Sequence, residues 1–138
     1  MEVEMRVARR EEQAAALELV FGHYPPAEGR RRAAAALELL RQGRLAADDV
    51  LVLSRAGRVE AAMAAPLAPG AAASVWPPGA RPGLTAEADQ EALACFASEH
   101  LRQRGVKVAQ TLLPTDQVER AQPLLRAGFR HITAIWYL

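Results

Sequence analysis

The sequence predicts one α/β domain, a mixed and mostly antiparallel sheet flanked by helices, and three observations support this prediction. Segments with the two-residue period of strands alternate along the chain with segments that have the helical period. Glycine and proline stand at the joints between them. The length of 138 residues suits a single hydrophobic core. The expected order is β, α, α, β, β, β, α, β, α, β, within one domain that covers residues 1 to 138.

The first elements are a strand and two helices. Residues 2 to 9 alternate between apolar and charged side chains, which is typical of a half-buried strand. Apolar residues then recur at helical spacing from Glu11 to Tyr24, where two prolines prevent further helix. A second helix is expected over residues 27 to 42, and Gly43 is placed as its C-terminal stop.

The middle of the chain favours an antiparallel meander. Strands are expected at residues 49–55, 58–66 and 71–76. Alanine-glycine and proline-glycine pairs between them supply the turns. The stretch WPPGARPG, residues 76 to 83, is predicted to be a loop, which could bind a ligand or simply connect a strand to a helix.

The longest helix follows this loop. It is expected over residues 85 to 104, with Thr85 as its N-cap and Gly105 just after its end. The strand after it, residues 106 to 113, is too apolar for an exposed edge. We therefore expect this strand in the centre of the sheet.

The chain closes with a helix and a strand. Asp116 and Glu119 have the spacing of a capping box, which predicts the helix start, and Gly128 is its expected stop. Residues 129 to 138 are predicted to form the last strand, which includes Trp136. An uncovered strand of this kind could pair with a second copy in a homodimer. A trimmed chain and a natural part of a longer protein are the alternatives.

Composition excludes several classes of protein. The formal net charge of +1 gives no electrostatic argument for binding nucleic acid or a membrane surface. Cys95 is the single cysteine, and no cysteine and histidine cluster has the spacing of a metal site. No apolar run approaches the ~18 residues of a membrane span, and the charged N-terminus lacks a signal peptide. A cytoplasmic protein is expected, and the excess of arginine over lysine suggests a bacterial genome.

Several charged residues permit both a structural and a functional interpretation. His100 lies on the apolar face of its helix, where a core-edge histidine with a satisfied ring nitrogen is expected. His131 is expected at a half-exposed strand position. The arginines at 30 to 32 fan around a helical turn, so a solvated face is favoured over a phosphate or acidic-acceptor site.

The end of the chain resembles a known superfamily. The sequence AQPLLRAGF, residues 121 to 129, keeps an alanine, a proline and a closing Gly-Phe, and Val75 and Pro77 stand where the fourth strand ends. With the order of elements, this resembles the GNAT superfamily of acyl-CoA-dependent N-acetyltransferases over nearly the whole chain. The resemblance implies transfer of an acetyl group from acetyl-CoA to an unknown small-molecule or peptide amine. The alternative is a catalytically inactive interaction or regulatory domain of the same fold.

The resemblance also implies which residues would bind. Acetyl-CoA would lie over residues 74 to 76 and 79 to 88, in a gap between the fourth and fifth strands, with its pyrophosphate at the start of the long helix. The break between the first two helices would line the acceptor pocket. The implied cofactor-binding residues are Ser74, Val75, Trp76, Arg81, Gly83, Leu84 and Thr85, and the implied substrate-binding residues are His23 and Tyr24.

The chain departs from the superfamily's pattern at the positions that perform the chemistry. Of the three positions of the pyrophosphate-loop pattern, only Gly83 is kept, and Pro82 supplies no N–H. Acidic residues lie in the first turns of the long helix, where their negative charge competes with a phosphate for the positive end of the helix dipole. Leu124 or Leu125 replaces the tyrosine that serves as the general acid in many members. The catalytic residues are therefore left unassigned.

Overall fold

The computed structural model describes residues 2 to 132 of the chain. The strands are β1 Val3–Val7, β2 Val50–Arg55, β3 Arg58–Ala64, β4 Leu67–Ala68, β5 Ala72–Ser74, β6 Trp76–Ala80 and β7 Val108–Gln110. The α-helices are α1 Gln13–Val20, α2 Pro26–Arg41, α3 Ala86–Gln103 and α4 Gln122–Arg126, with short 3-10 segments at Arg10–Glu12, Ala47–Asp49 and Thr115–Ala121. No helix among these residues is both long enough and apolar enough to cross a membrane.

The strands form two sheets that share one bent strand. One sheet is antiparallel and has the order β1-β2-β3-β6, and the other has the order β4-β5-β7, in which β5 and β7 are parallel. Only Val75 separates β5 from β6, so residues 72 to 80 run from the smaller sheet into the larger one. The predicted mixed, mostly antiparallel sheet flanked by helices is confirmed.

The core has one layer on each face of the larger sheet. Val50 and Val52 of β2 lie in the cluster under α1 and α2, whereas Leu51 and Leu53 lie in the cluster under α3 and α4. Successive side chains of a strand point to opposite faces, so this apolar run fills both layers. The sheet is therefore covered by helices on both sides.

A glycine sets the position of α1 on the sheet. A Cβ at Gly79 of β6 would lie 1.9 Å from the carbonyl oxygen of Leu19, so any side chain there would push α1 away. The absence of a side chain lets the end of α1 lie directly on the strand. This contact fixes where the chain leaves α1, which is beside the gap described below.

The sequence was wrong about the stretch at residues 76 to 83. Its first five residues form β6 and pair with β3 rather than making a loop. Pro77 is tolerated because its missing N–H would face the open side of β6, and Pro78 lies where the register between β3 and β6 shifts, so no regular ladder bond is lost. The connecting loop is shorter than predicted and covers residues 81 to 85.

The prediction for residues 106 to 113 was also wrong. Only Val108–Gln110 form a strand, and β7 lies at an edge of the sheet within the described part of the chain, with Val108 57% exposed. Part of the apolar run forms β7, and the rest, residues 111 to 113, forms an irregular segment. That segment leaves the sheet after Gln110, so its residues gain no second strand neighbour.

The C-terminal predictions had mixed outcomes. The predicted capping box at Asp116 is not observed, because this region is a 3-10 segment whose cap is Pro114. Gly128 has the positive φ of 105° expected of a helix stop. Residues 129 to 132 are not in a strand, and the rest of the predicted last strand, with the predicted dimer contact, lies outside the described residues.

Candidate functional site

A cleft opens where β6 parts from β7. The parallel register ends at Ser74 opposite Gln110, and the last hydrogen bond runs from the Val75 N–H to the Gln110 carbonyl at 2.8 Å. Beyond this point β6 pairs with β3. The chain after β7 leaves the sheet and lines the other side of the cleft. The cleft between them has a volume of about 290 Å³.

A proline opposes continued pairing of the two strands. The Val75 N–H points toward β7, so the N–H two residues further along would also face the cleft, and Pro77 has none to donate there. Pro77 itself lines the cleft. The sequence therefore opposes closure of the gap by continued pairing of β6 with the chain after Gln110.

Aromatic rings form one wall of the cleft. The ring centroid of Phe21 lies 5.7 Å from that of Trp76 and 6.3 Å from that of Tyr24. The His23 and Tyr24 rings are 4.1 Å apart. Phe21, His23 and Tyr24 come from the turn between α1 and α2, whereas Trp76 begins β6. A Cβ at Gly29 would lie 2.8 Å from the Phe21 carbonyl oxygen, so α2 packs closely against this turn. Ring contacts of this kind give the wall a defined shape.

Arg120 is the charged side chain of the opposite wall. Its Nη1 donates to the Gln117 Oε1 at 3.1 Å. Desolvation by burial lowers the pKa of Arg120 and outweighs the opposing effects of Tyr24 and Glu119. Among residues 2 to 132, no aspartate or glutamate lies within 4.0 Å of it, and none lines the cleft.

The surroundings of His23 favour its neutral form. Desolvation by burial lowers the pKa of His23 from 6.5, and the positive charges of Arg120 and Arg32 lower it further. A hydrogen bond with the Val20 backbone acts in the opposite direction. A neutral imidazole at the mouth of a cleft can accept a proton.

The loop at residues 81 to 85 lies at the other end of β6. The Arg81 Nε donates to the Val59 carbonyl at 2.8 Å, which ties this side chain to β3. At the start of α3, Asp89 accepts hydrogen bonds from both terminal nitrogens of Arg55, at 2.8 and 3.0 Å. The Thr85 hydroxyl also donates to Asp89, at 3.0 Å, instead of capping a backbone amide.

The Arg55 and Asp89 pair has a clear electrostatic effect. The Arg55 guanidinium and the Thr85 hydroxyl lower the pKa of the Asp89 carboxyl, against the opposing effect of burial. Asp89 is 6% exposed. The positive charge nearest the helix start is therefore already neutralised inside the protein.

The structure brings together only part of the predicted set. Ser74, Val75, Trp76, His23 and Tyr24 all line the cleft. The other four, Arg81, Gly83, Leu84 and Thr85, belong to the loop before α3 and do not line it.

Sequence reasoning missed Arg120 and Gln117. Both lie in the 3-10 segment after Pro114, where winding differs from that of an α-helix and the helical period misplaces the faces. No motif marks them. By contrast, the expectation for His100 is confirmed, because its Nε2 lies 2.9 Å from the Asp48 carbonyl oxygen.

Comparison with known proteins finds similarity in structure only. No protein-family model and no curated protein matches the sequence. Among solved structures, a transcriptional regulator from Bacillus halodurans C-125 matches with a TM-score of 0.70 at 11% identity, over 99% of this chain and 100% of that one. The ribosomal-protein-S18-alanine N-acetyltransferase from Escherichia coli matches with a TM-score of 0.69 at 16% identity, over 96% and 80%.

A third structure adds a ligand. A GNAT family acetyltransferase from Brucella melitensis, solved in complex with acetyl-CoA, matches with a TM-score of 0.63 at 18% identity, over 86% of this chain and 80% of that one. The chain therefore has the fold of the GNAT acetyltransferases.

Proposed function

We propose that this chain is an N-acetyltransferase that transfers the acetyl group of acetyl-CoA to a small amine. The observation that supports this most is the parting of β6 from β7 after the Val75 to Gln110 hydrogen bond, which leaves a cleft of about 290 Å³. The Brucella protein of the same fold is in complex with acetyl-CoA. A cleft between two parted strands suits a narrow, extended ligand.

The residues around the cleft fit an acyl-CoA on most counts. Ser74, Val75 and Trp76 would hold its pantetheine arm, and the loop of Arg81, Gly83, Leu84 and Thr85 would meet its phosphates. Gly83 has open space around it, so the loop can be approached closely. Pro77 and Pro78 donate no N–H, so we expect fewer backbone hydrogen bonds to the arm than a strand without proline would give.

His23 is the residue that we assign as general base. Acetyl-CoA, when bound, supplies an acetyl thioester, whose C–S bond breaks as the amine nitrogen forms a C–N bond with the carbonyl carbon. His23 lines the cleft in its neutral form, and it would accept the proton that the amine loses. The departing thiolate takes a proton from solvent, so an amide and a thiol are formed.

Leucine stands where many members of the superfamily have a tyrosine, and it cannot act as a general acid. Leu124 is 1% exposed and lies in the core under α3, and Leu125 likewise has no proton to give. General acid catalysis typically contributes about 10²- to 10⁴-fold. We therefore expect slow turnover compared with a transferase that has such an acid.

Titration calorimetry with acetyl-CoA and with CoA tests the proposal. We expect the wild type to bind both, and Gly83→Asp to weaken binding by about tenfold, since the new carboxylate faces the phosphates. Gly70→Asp makes the same change of charge in the turn at the opposite end of the strand and should bind as the wild type does. Gly70 has a positive φ of 83°, which aspartate tolerates better than most residues.

Two outcomes would contradict the proposal. No binding at millimolar acetyl-CoA would remove the acyl-CoA site altogether. Tight binding with no acetylation of any amine in a broad panel would leave an inactive regulatory domain as the better description.

A further inference from the structure

Within residues 2 to 132, no carboxylate lies within ion-pair distance of Arg120, and this distinguishes it from the other half-buried arginines of that range. Among residues 2 to 132, five arginine side chains are neither buried nor fully exposed, and four of them lie within 4.0 Å of a carboxylate. The pairs are Arg6–Glu12 at 2.6 Å, Arg55–Asp89 at 2.8 Å, Arg81–Glu60 at 3.9 Å and Arg104–Asp49 at 2.8 Å. The fifth is Arg120, in the wall of the cleft.

The sequence after the described residues adds no acidic side chain. Residues 133 to 138 read TAIWYL and contain neither aspartate nor glutamate. Partial burial of a guanidinium costs hydration free energy, which a bound anion can offset. The one side-chain hydrogen bond of Arg120 within the described residues goes to the neutral Gln117 amide.

The charge of the cleft as a whole selects against cations. No carboxylate of residues 2 to 132 lines it, and Arg120 and His23, whose pKa is lowered, line the same space. A ligand with a second positive charge would find no partner there. The same field favours the neutral form of the amine that must attack, because a nearby positive charge lowers the pKa of an ammonium group.

The shape of the cleft limits the body of the ligand. Phe21 and Tyr24 present flat apolar faces to a cleft of about 290 Å³ that the acceptor would share with the end of the acyl-CoA arm, which suits a small molecule with a planar or aliphatic body. A folded polypeptide could offer no more than a terminus to this space.

We propose that the acceptor is a small amine that carries an anionic group, a carboxylate or a phosphate, which binds Arg120 while the apolar body lies on the aromatic wall. The inference rests on the proposed function, because it names the second substrate of that cleft. A guanidinium pairs with either anion through two parallel N–H donors. Arg120 would thus select the acceptor and hold its amine near His23.

Matched amines test this assignment. Acetylation rates are measured for L-phenylalanine against L-phenylalaninamide, and for O-phosphoethanolamine against ethanolamine. We expect the anionic member of at least one pair to have a kcat/KM about tenfold higher or more. The amine of L-phenylalaninamide is less basic than that of L-phenylalanine, so a larger fraction of it is neutral and able to attack near pH 7. Basicity alone would therefore make L-phenylalaninamide the faster substrate. The pair that shows the preference identifies carboxylate or phosphate as the group bound.

Variants connect the preference to the residue. In Arg120→Gln the anionic and neutral members should become equal within about threefold, whereas Arg126→Gln, an exposed arginine of α4, should keep the full ratio. Equal rates in the wild type, or a ratio that survives Arg120→Gln, would overturn the inference. A preference for spermidine would do the same.

Binding measurements separate this inference from the proposed function. Calorimetry of L-phenylalanine and O-phosphoethanolamine is run on the protein alone and on the protein saturated with CoA. Binding that needs Arg120, in a protein that does not bind acetyl-CoA, would support the anion site and reject the transferase. Binding of acetyl-CoA with no binding of either anion at millimolar concentration would do the reverse.

Discussion

The arginines near the two ends of the bent strand at residues 72 to 80 differ in whether a carboxylate neutralises their charge. At the cleft end, Arg120 has no carboxylate partner within the described residues. At the loop end, Arg55 is bound by Asp89 with two hydrogen bonds, and Arg81 is held on β3. If the proposed function holds, an anion could bind Arg120 at the cleft end without breaking an ion pair of the described residues, whereas a phosphate at the loop end would compete with the internal contacts of Arg55 and Arg81. Binding of acyl-CoA would therefore carry a free-energy cost that binding of the acceptor lacks.

His23→Gln should have the largest effect, because it removes the proposed base from the cleft end. We expect kcat to fall about 10²-fold, with little change in the affinity for acetyl-CoA. The folded protein's His23 has a pKa below 6.5, so wild-type activity should be full near pH 7 and fall as pH drops through that lowered value. The variant should lose this fall in activity at low pH, the acid limb of the pH–rate profile. Initial rates from pH 5 to 8 measure both.

Two further variants make this test specific. Arg120→Gln removes a positive neighbour that lowers the pKa of His23, so the acid limb should move to higher pH. His131→Gln, at an exposed position, should behave as the wild type does. If His23→Gln retained the acid limb, another group would be the base.

Gly79→Ala should have the next largest effect, and it acts midway between the two ends. Its Cβ would lie 1.9 Å from the Leu19 carbonyl oxygen, so α1 must shift, at a cost of about 1–3 kcal/mol in the free energy of unfolding. Gly83→Ala, with no atom within 4 Å of its Cβ, should change stability by less than about 0.5 kcal/mol. Urea denaturation compares them.

The same substitution should affect the two ends unequally. A shift of α1 moves Phe21 and the aromatic wall, so we expect a higher KM for the acceptor. The Arg55–Asp89 pair does not contact α1, and acetyl-CoA affinity should hold. Equal losses at both ends would show that the bent strand moves as one body.

Sequence reasoning identified the elements well because hydrophobic period and glycine stops report local structure directly. The alternation of Val50, Leu51, Val52 and Leu53 reflects burial on both faces, and Gly128 has the positive φ that its place as a stop predicts. These features depend on neighbours along the chain. The fold class could therefore be predicted.

The site was predicted less completely because it depends on contacts distant in sequence. Two prolines indicated a loop at residues 76 to 83, but pairing of β6 with β3 on one side outweighed that local signal. Arg120 gave no signal, since its role follows from the lack of a carboxylate across the cleft. His23 and Tyr24 were found only through the resemblance to a known superfamily.

Asp89→Asn should have the smallest effect on function and tests the loop end. It frees Arg55 and removes a negative charge near the start of α3, where one charge is worth about 0.3–1 kcal/mol. We expect acetyl-CoA to bind roughly two- to fivefold more tightly by calorimetry. Glu99→Gln, an exposed change near the other end of α3, should leave the affinity unchanged.

Stability should move in the opposite direction to affinity in this variant. Asp89 has a pKa below 3.8 in the folded protein, so its carboxylate contributes stability that is full above that value and is lost as pH falls through the lowered pKa. The variant should therefore be less stable than the wild type at pH 7, and the difference should shrink toward acid pH. If the variant instead bound acetyl-CoA more weakly, the Arg55–Asp89 pair would hold the loop in a conformation that binds phosphate rather than compete with the phosphate. Both ends of the strand would then be preorganised for their ligands.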